Sequence, residues 1–332
     1  MQAWQVAGNG EIADVLRLDD IAVPEPGPGQ LLVRVRATAA NFPDVLMIRG
    51  AYQERPELPF TPGLELCGDV VALGPDVTGP PIGARVMGTT VLPHGGYAQY
   101  AILDAAYAYP APAELADAAA AGFLIAYQTS WFALHRRTQL RAGETLLVQA
   151  AAGGVGSAAV QLGKAAGARV IGVVGGAEKA KVVAELGADV VIDRHTEDVV
   201  AAVKAVAPAG VDVVYDPVGG AAYQQATKCV GFEGRILVIG FAGGEIQQAA
   251  LNHVLVKNYS VIGLHWGLYR SRKPQVIAEC HEALLPLVSA GAIRPLVGEQ
   301  HGLSEVPAAL QRLADGATVG RVVMVSSDSP AG

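Results

Sequence analysis

The sequence predicts a two-domain α/β protein, in which a β-rich unit precedes a doubly wound parallel sheet. Three observations carry this expectation. The chain has 332 residues, more than one ordinary core supports, and roughly 150 residues per domain gives about two domains. It holds 40 Gly and 20 Pro with no collagen period, which implies many tight turns rather than a fibre. Short apolar segments between Pro and Gly turns fill the first third, whereas from about Glu144 strand-like runs alternate with helical ones.

The first unit is read strand by strand. In QLLVRVRATA (30–39) Val33 and Val35 face one way and Arg34 and Arg36 the other, the alternation of a half-buried strand. GDVVALG (68–74), GARVMG (83–88) and YAQYAIL (97–103) follow as short apolar runs. PEPGPG (24–29) and TGPPIG (78–83) read as turns, because Pro fixes φ and Gly supplies φ > 0. Strands so closely spaced suggest a compact, barrel-like β unit.

Character changes near residue 120. Between Glu144 and about Gly263 come the strands TLLVQA, RVIGVV, DVVI, DVVYD, RILVIG and YSVIG, with GSAAVQLGKAAG, AEKAKVVAELG, TEDVVAAVKAVA and GAAYQQATKC as helices. Val155, Ala159, Leu162 and Ala166 make one apolar helical stripe, while Glu178, Lys181 and Glu185 make a solvated one. Thr196 is placed to cap the third helix, with Glu197 and Asp198 in its first turn. Strands this apolar, joined by helices, are covered on both faces, so the sheet is parallel. Helices at roughly 275–289 and 304–314 and a strand GRVVMV (320–325) end the chain. A lone strand cannot found a domain, so it is expected to return to the first unit. The expected boundaries are 1–122, 123–264 and 265–332.

Composition excludes several classes. Hydrophobic residues are 51% and charged residues 17%, below the ~25% charged of an average chain, which rules out disorder and coiled coil. A net charge of −7 leaves no electrostatic footprint for nucleic acid or an anionic membrane. Cys67, Cys229 and Cys280 are odd in number and far apart, neither a disulfide framework nor a ligand set, and imply a reducing cytosol. MQAWQVAGNGEIADV lacks the basic start and apolar run of a signal peptide. Mean hydropathy is +0.33, yet the uncharged stretch Thr145–Gly163 contains two glutamines and a glycine-rich turn, unlike a spanning helix. A soluble, cytoplasmic protein is expected.

The segment 144–167 is the most informative. A strand runs into Ala151-Ala152-Gly153-Gly154-Val155-Gly156 and a helix opens at once, which is the G-x-G-x-x-G spacing with Ala151 in the first place. Gly153 lets the backbone approach a diphosphate, Gly156 lets helix pack on strand, and the helix N-terminus offers N–H groups to the phosphates. A turn without a ligand is the competing reading; the strand–helix units that follow in register weigh against it. An NAD site places an acid at the end of the second strand, but that end is Val173-Val174-Gly175-Gly176. Lys179 and Arg194 lie near instead and suit a 2′-phosphate, so NADPH is expected over NADH. The alternatives are that Lys179 is a solvated helix residue, that Arg194 pairs with Asp193 or Glu197, and that Glu178 reaches the ribose.

With these residues in hand, the chain resembles the zinc-free quinone oxidoreductase branch of the medium-chain dehydrogenases and reductases. The matching segments are ANFPDVLMIRGAYQ (40–53), LPFTPGLELCGDVVALG (58–74), GGYAQYAILD (95–104), AAGGVG with QLGKAAGARVIG, DVVYDPVGG, and GRILVIGFAGG with LNHVLVKNYSVIGLHWG. The resemblance implies a GroES-like catalytic domain completed by the C-terminus, a Rossmann domain inserted in it, and a homodimer. Zinc-dependent relatives carry Gly-His-Glu where this chain has Gly63-Leu64-Glu65. Leu cannot ligate a metal, no four-cysteine lobe exists, and the seven histidines are scattered, so no metal is expected.

The resemblance also assigns residues. Asn41 matches the Asn beside the nicotinamide, and Tyr52 the Tyr facing the substrate cleft; both are candidate catalytic groups. Leu46 stands where some relatives carry a further Tyr. Cofactor contacts are implied for Asn41, Thr129, Ala152, Gly153, Gly154, Val155, Gly156, Gly175, Lys179, Arg194, Val218, Gly240, Phe241, Leu264 and Trp266. Each has a structural rival: Tyr52 as a core or rim aromatic, Asn41 as a turn residue, Thr129 bonding its own helix backbone. Asp44 reads as a capping acid rather than a base, and no proton donor stands out. The expected function is NADPH-dependent hydride transfer to a quinone or other conjugated carbonyl. An enoyl-thioester or enone reductase is the near alternative, with Arg49, Arg55 and Arg270 as cations for a CoA phosphate. A non-catalytic NADPH-binding protein is the alternative of another class. Alcohol oxidation is disfavoured, since it wants a zinc or a base.

Overall fold

The computed structural model describes residues 1–326; the last six residues of the expected segment 265–332 lie outside them. The chain divides into two units, one formed by residues 1–125 and 295–326 and the other by 126–294. No helix among the described residues is long and apolar enough to cross a membrane.

In the first unit β1 (Gln2–Val6) precedes α1 (Ile12–Val15) and pairs antiparallel with β2 (Leu16–Asp20). Then come β3 (Gln30–Ala39), α2 (Phe42–Ile48), β4 (Glu65–Leu73), β5 (Arg85–Thr90), β6 (Tyr100–Pro110) and α3 (Asp117–Ala121). Strand β3 has the bounds its alternation suggests. Its residues Leu31, Val33 and Val35 join Leu66, Val70, Val86 and Leu103 in one apolar cluster. Strand β3 pairs with both β4 and β6, so the run β3-β4-β5-β6 closes on itself, which removes two exposed edges.

The second unit opens with α4 (Leu124–Trp131), whose first two residues belong to the first unit, and a π-helical turn Phe132–Arg137. There follow β7 (Thr145–Val148), α5 (Gly154–Ala165), β8 (Arg169–Val174), α6 (Ala177–Glu185), β9 (Val190–Asp193), α7 (Val199–Val206), β10 (Val211–Asp216) and α8 (Gly220–Cys229). Next come β11 (Val230–Val238), α9 (Leu251–Lys257), β12 (Ser260–Gly263), α10 (Leu268–Arg272) and α11 (Pro274–Ser289). All six strands run parallel in the order β12-β11-β10-β7-β8-β9. This is the doubly wound Rossmann arrangement, with its switch point between β7 and β10. Helix α7 is capped by Asp198, whose carboxylate accepts from Ala201 N at 2.8 Å. Thr196, the expected cap, instead donates back to Asp193 O. The acid sits one residue before the first helical position, where its oxygen reaches the orphan N–H.

The chain then returns to the first unit as β13 (Val297–Gly302), α12 (Val306–Ala314) and β14 (Arg321–Val325). Strand β14 pairs antiparallel with β3, through Val323 opposite Ala39. The return therefore comes near residue 295, later than the sequence placed it. Helix α11 buries Val276, Ile277, Cys280 and Leu284 within the second unit. Arg294 N donates to Gln161 Oε1 of α5 at 2.7 Å, and Tyr269 packs on Phe132 with ring centroids 4.4 Å apart.

Candidate active-site residues

In a parallel sheet the carboxyl ends of all strands share one edge, where ligands bind. That edge gathers the cofactor residues expected from the sequence. Ala152 to Gly156 follow β7, Gly175 and Lys179 follow β8, Arg194 follows β9, Val218 follows β10, Gly240 and Phe241 follow β11, and Leu264 and Trp266 follow β12. Thr129 lies on α4, partly exposed.

The turn after β7 is built for close approach. Ala150 itself takes the left-handed conformation, φ 49°, so the tight bend falls one residue before Ala151. Gly153 N donates to Ala150 O at 2.9 Å, and Gly153 caps α5 with no side chain. A Cβ on Gly153 would meet one atom within 4 Å, Ala150 O, at 3.3 Å. A Cβ on Gly156 would lie 2.2 Å from Ala150 O and 2.9 Å from its carbonyl carbon. We expect Gly156→Ala to cost about 1–3 kcal/mol of stability by overpacking and, by tilting α5, to weaken nucleotide binding at least tenfold. Thermal unfolding and a nucleotide titration of the variant check this.

The first-turn N–H groups of α5 therefore point to a surface with no capping side chain, as a diphosphate site requires. Two buried polar atoms at the same edge lack hydrogen-bond partners, Gln149 Nε2 after β7 and Asp216 Oδ2 at the end of β10; Trp266 Nε1 beyond β12 lacks one too. Asp216 Oδ1 accepts from Val218 N and Gly219 N at 2.9 and 3.0 Å, yet burial still raises its carboxyl. The glycine cradle, the uncapped helix and these open polar atoms fit a dinucleotide.

Around Gly175 the chemistry is cationic. A Cβ there would meet His195 Nε2 at 2.9 Å and Arg194 Nη2 at 3.0 Å, so both side chains fold over the glycine. Burial, then the Arg194 charge, lowers the Lys179 ammonium. Lys179 is partly buried and Arg194 exposed, and two cations held near each other are relieved by a dianion. Asp193 is occupied elsewhere: it accepts Gly176 N at 2.8 Å and His195 N at 3.0 Å. Glu197 accepts Asp193 N, and no ion pair joins Arg194 to either acid among the described residues. Glu178 is exposed.

The first unit carries a second polar assembly. Asn41 caps α2 and is 4% exposed. Its Nδ2 donates to Ala39 O and to Glu65 Oε1, each at 3.1 Å, and its Oδ1 accepts from Arg321 Nη2 at 3.1 Å. Arg321 Nη2 also donates to Glu65 Oε1 in a short ion pair, and Glu65 Oε2 accepts Ile125 N at 3.0 Å. Burial raises the Glu65 carboxyl in spite of the arginine. Asp44 is a capping acid: its carboxylate accepts from Asn41 N at 2.8 Å, Gly63 N at 3.2 Å and Tyr97 OH at 2.9 Å. Burial pushes Asp44 up to about 7 against these three donors. Tyr52 packs its ring on the cluster of Trp4, Ile48 and Phe60, and burial pushes its phenol up to about 12. Leu64 packs on the same cluster. No group of three His, Cys, Asp or Glu stands ready to hold a metal among the described residues.

Residues 27–113 match the model described as the alcohol dehydrogenase GroES-like domain, and residues 154–282 that described as the zinc-binding dehydrogenase. A quinone oxidoreductase-like protein 2 homolog of Nematostella vectensis is 37% identical over 309 residues, 92% of this chain and 84% of that one. The chain belongs to the zinc-free quinone oxidoreductase family. This is a family of oxidoreductases within the medium-chain dehydrogenases and reductases. Among solved structures, a mycobacterial protein complexed with NADPH is 31% identical with TM-score 0.91, over 98% of this chain and 100% of that one. The quinone oxidoreductase of Escherichia coli complexed with NADPH is 28% identical with TM-score 0.90, over the same shares.

Several residues of this family member were not legible locally. Ser130, beside Thr129, donates to Val155 O at 3.0 Å and pairs with Tyr215 OH at 3.0 Å, tying α4 to the glycine turn. Gln149 and Asp216 have no motif of their own; only their places at strand ends mark them. Arg321 lies 256 residues from Glu65, beyond any spacing rule.

Proposed function

We propose that this protein is an NADPH-dependent oxidoreductase that reduces a quinone or other conjugated carbonyl without a metal. The observation that carries the reading is the edge of the parallel sheet. There an uncapped glycine turn shares the edge with Gln149 Nε2 and Asp216 Oδ2, two buried polar atoms without a hydrogen-bond partner, and Arg194 folds over Gly175 with Lys179 near it. The bound nicotinamide supplies the hydride. The chain's own residues do the rest. N–H groups of α5 hold the diphosphate, Lys179 and Arg194 hold the 2′-phosphate, and Thr129, Val218, Gly240, Phe241, Leu264 and Trp266 frame the nicotinamide half. The Tyr52 phenol, a neutral donor whose ionisation burial disfavours still further, donates to the oxygen on which negative charge gathers. Asn41 has its amide engaged by Ala39, Glu65 and Arg321, so its remaining Oδ1 lone pair and its fixed position are what it offers.

Following absorbance of NADPH with a benzoquinone tests the activity; tight NADPH binding with no turnover of any activated acceptor would contradict it. Tyr52→Phe is expected to lower kcat/KM about tenfold, the worth of one neutral hydrogen bond, with no change in NADPH affinity. An unchanged kcat/KM makes Tyr52 a packing residue.

The reading includes a homodimer in a reducing compartment. Strand β12 is an unpaired edge of the sheet, and α9 beside it exposes Leu251, Leu255 and Val256 at about three quarters of their surface. Soluble proteins manage such edges by pairing or covering them. Sedimentation is expected to show a dimer that Leu255→Glu with Val256→Glu dissociates; a wild-type monomer at micromolar concentration excludes it. The free thiols of Cys67, Cys229 and Cys280 are all buried, which suits reduced surroundings.

A further inference from the structure

Asp44 is 0% exposed, and its carboxylate gathers donors from three separate stretches of the first unit. Oδ2 accepts from Asn41 N at 2.8 Å and from Tyr97 OH at 2.9 Å, and Oδ1 accepts from Gly63 N at 3.2 Å. Two of these donors are fixed by packing. Gly63, at φ 103°, lies so close to residues 96 and 97 that a Cβ would stand 2.7 Å from Tyr97 N. Gly96 N also donates to Gly63 O at 2.7 Å. Tyr97 is itself buried in the cluster of Trp4, Val45 and Phe60. Held by these two, the acid holds the third donor, the backbone N–H of Asn41 at the start of α2. Helix capping alone does not ask for this arrangement, since a neutral Ser, Thr or Asn caps as well. Burial raises the Asp44 carboxyl to about 7 in spite of its donors, so the fold loses stability as pH climbs from the ordinary 3.8 toward that value. A charge that weakens the fold calls for another role.

The residue at the far end of that bond supplies the role. The Asn41 amide is aimed by Ala39 O, Glu65 Oε1 and Arg321 Nη2, and all three contacts depend on where its backbone sits. We propose that Asp44 is a positioning residue: through Asn41 N its carboxylate sets the Asn41 amide for hydride transfer, and only the ionised acid does so fully. The proposal rests on the reading above, in which Asn41 belongs to the nucleotide site. When Asp44 takes a proton, Oδ2 becomes a donor toward the Tyr97 oxygen. Its bond from Asn41 N then loses the charge that makes such a bond roughly twice as strong as a neutral one. The titratable groups that face Asp44 are Tyr97, Glu65 and Tyr52, and the Arg321 charge acts on Tyr97. Burial raises both phenols, which stay neutral through this range. Glu65, raised by burial as well, is the one other acid among them.

The chain has four asparagines, Asn9, Asn41, Asn252 and Asn258, so labelling the full chain with ¹⁵N-asparagine makes Asn41 readable by NMR. Its backbone amide reports Asp44, and its side-chain amide reports Glu65. The backbone signal is expected to titrate with a midpoint near 7. In Tyr97→Phe, which removes a donor to the ionised acid, the midpoint should rise by about one pH unit; in Asp44→Asn the titration should vanish. The single-turnover rate of bound NADPH with a benzoquinone is expected to fall below the same midpoint and to follow it upward in Tyr97→Phe. In Asp44→Asn it should be about tenfold lower and flat across this range, with NADPH affinity preserved. Should Asp44→Asn fail to fold, Tyr97→Phe decides. The proposal is overturned if the rate ignores the backbone midpoint, if it follows the side-chain signal of Glu65 instead, or if Asp44→Asn keeps full rate. If no acceptor is reduced, the reading above fails and NADP⁺ alone judges the positioning. A shift of the Asn41 side-chain signal on NADP⁺ binding that Asp44→Asn or acid abolishes supports it, and a shift left intact by both overturns it.

Discussion

Glu65→Leu is expected to destabilise the first unit by about 3–5 kcal/mol, because Arg321 is left charged and alone in the interior. The two side chains are 1% and 6% exposed and form the one ion pair buried to that degree among the described residues. Removing Glu65 also strips Asn41 Nδ2 and Ile125 N of an acceptor, and each buried donor so stranded costs a further ~1–3 kcal/mol. Arg321→Met alone is expected to cost less, since Glu65, whose carboxyl burial already raises, can take a proton. The double variant Glu65→Leu/Arg321→Met should recover much of the loss, because two apolar side chains of similar size fill the site without stranded charge. Denaturant midpoints of the variants decide it. Glu65→Leu within 1 kcal/mol of wild type would mean that Arg321 escapes to solvent and the pair is not structural.

Cofactor selection is expected to be lost when Lys179→Ala and Arg194→Ala are combined. Each charge-assisted bond to a 2′-phosphate contributes roughly 1.5–3 kcal/mol, so together they favour NADPH by about two to four orders of magnitude. Lys179 is partly exposed, and solvent screening puts the lower figure nearer the outcome. NADH, which lacks that phosphate, should bind wild type and variant alike, since the diphosphate contacts of α5 are untouched. Dissociation constants for both nucleotides at fixed salt measure the effect. Equal losses with NADH and NADPH would show that the pair supports the fold around Gly175 rather than reading the phosphate.

What the sequence made legible follows from how local each signal is. Strand β3 and the strands of the parallel sheet announce themselves as apolar runs between turns, and the spacing of Gly153 and Gly156 gains its meaning from standing between a strand and a helix. The return of β14 to β3 was readable because a lone strand has nowhere else to pair. Other features depend on partners far along the chain. Arg321 gains its meaning from Glu65 and Asn41, and Gln149 and Asp216 from the strand ends beside them. The hairpin of β1 and β2 shows little alternation, since β2 buries Leu16 alone. The positive φ of Ala150 carries no local signal, because glycine, not alanine, ordinarily marks it.

A crystal structure with NADP⁺ bound tests the central claim most directly. The account predicts the diphosphate oxygens on the N–H groups of Gly154 to Gly156 and the 2′-phosphate between Lys179 and Arg194. It also places the nicotinamide toward the ends of β10 to β12. A nucleotide lodged anywhere else on the chain, or bound in the reverse direction along the sheet edge, would contradict it.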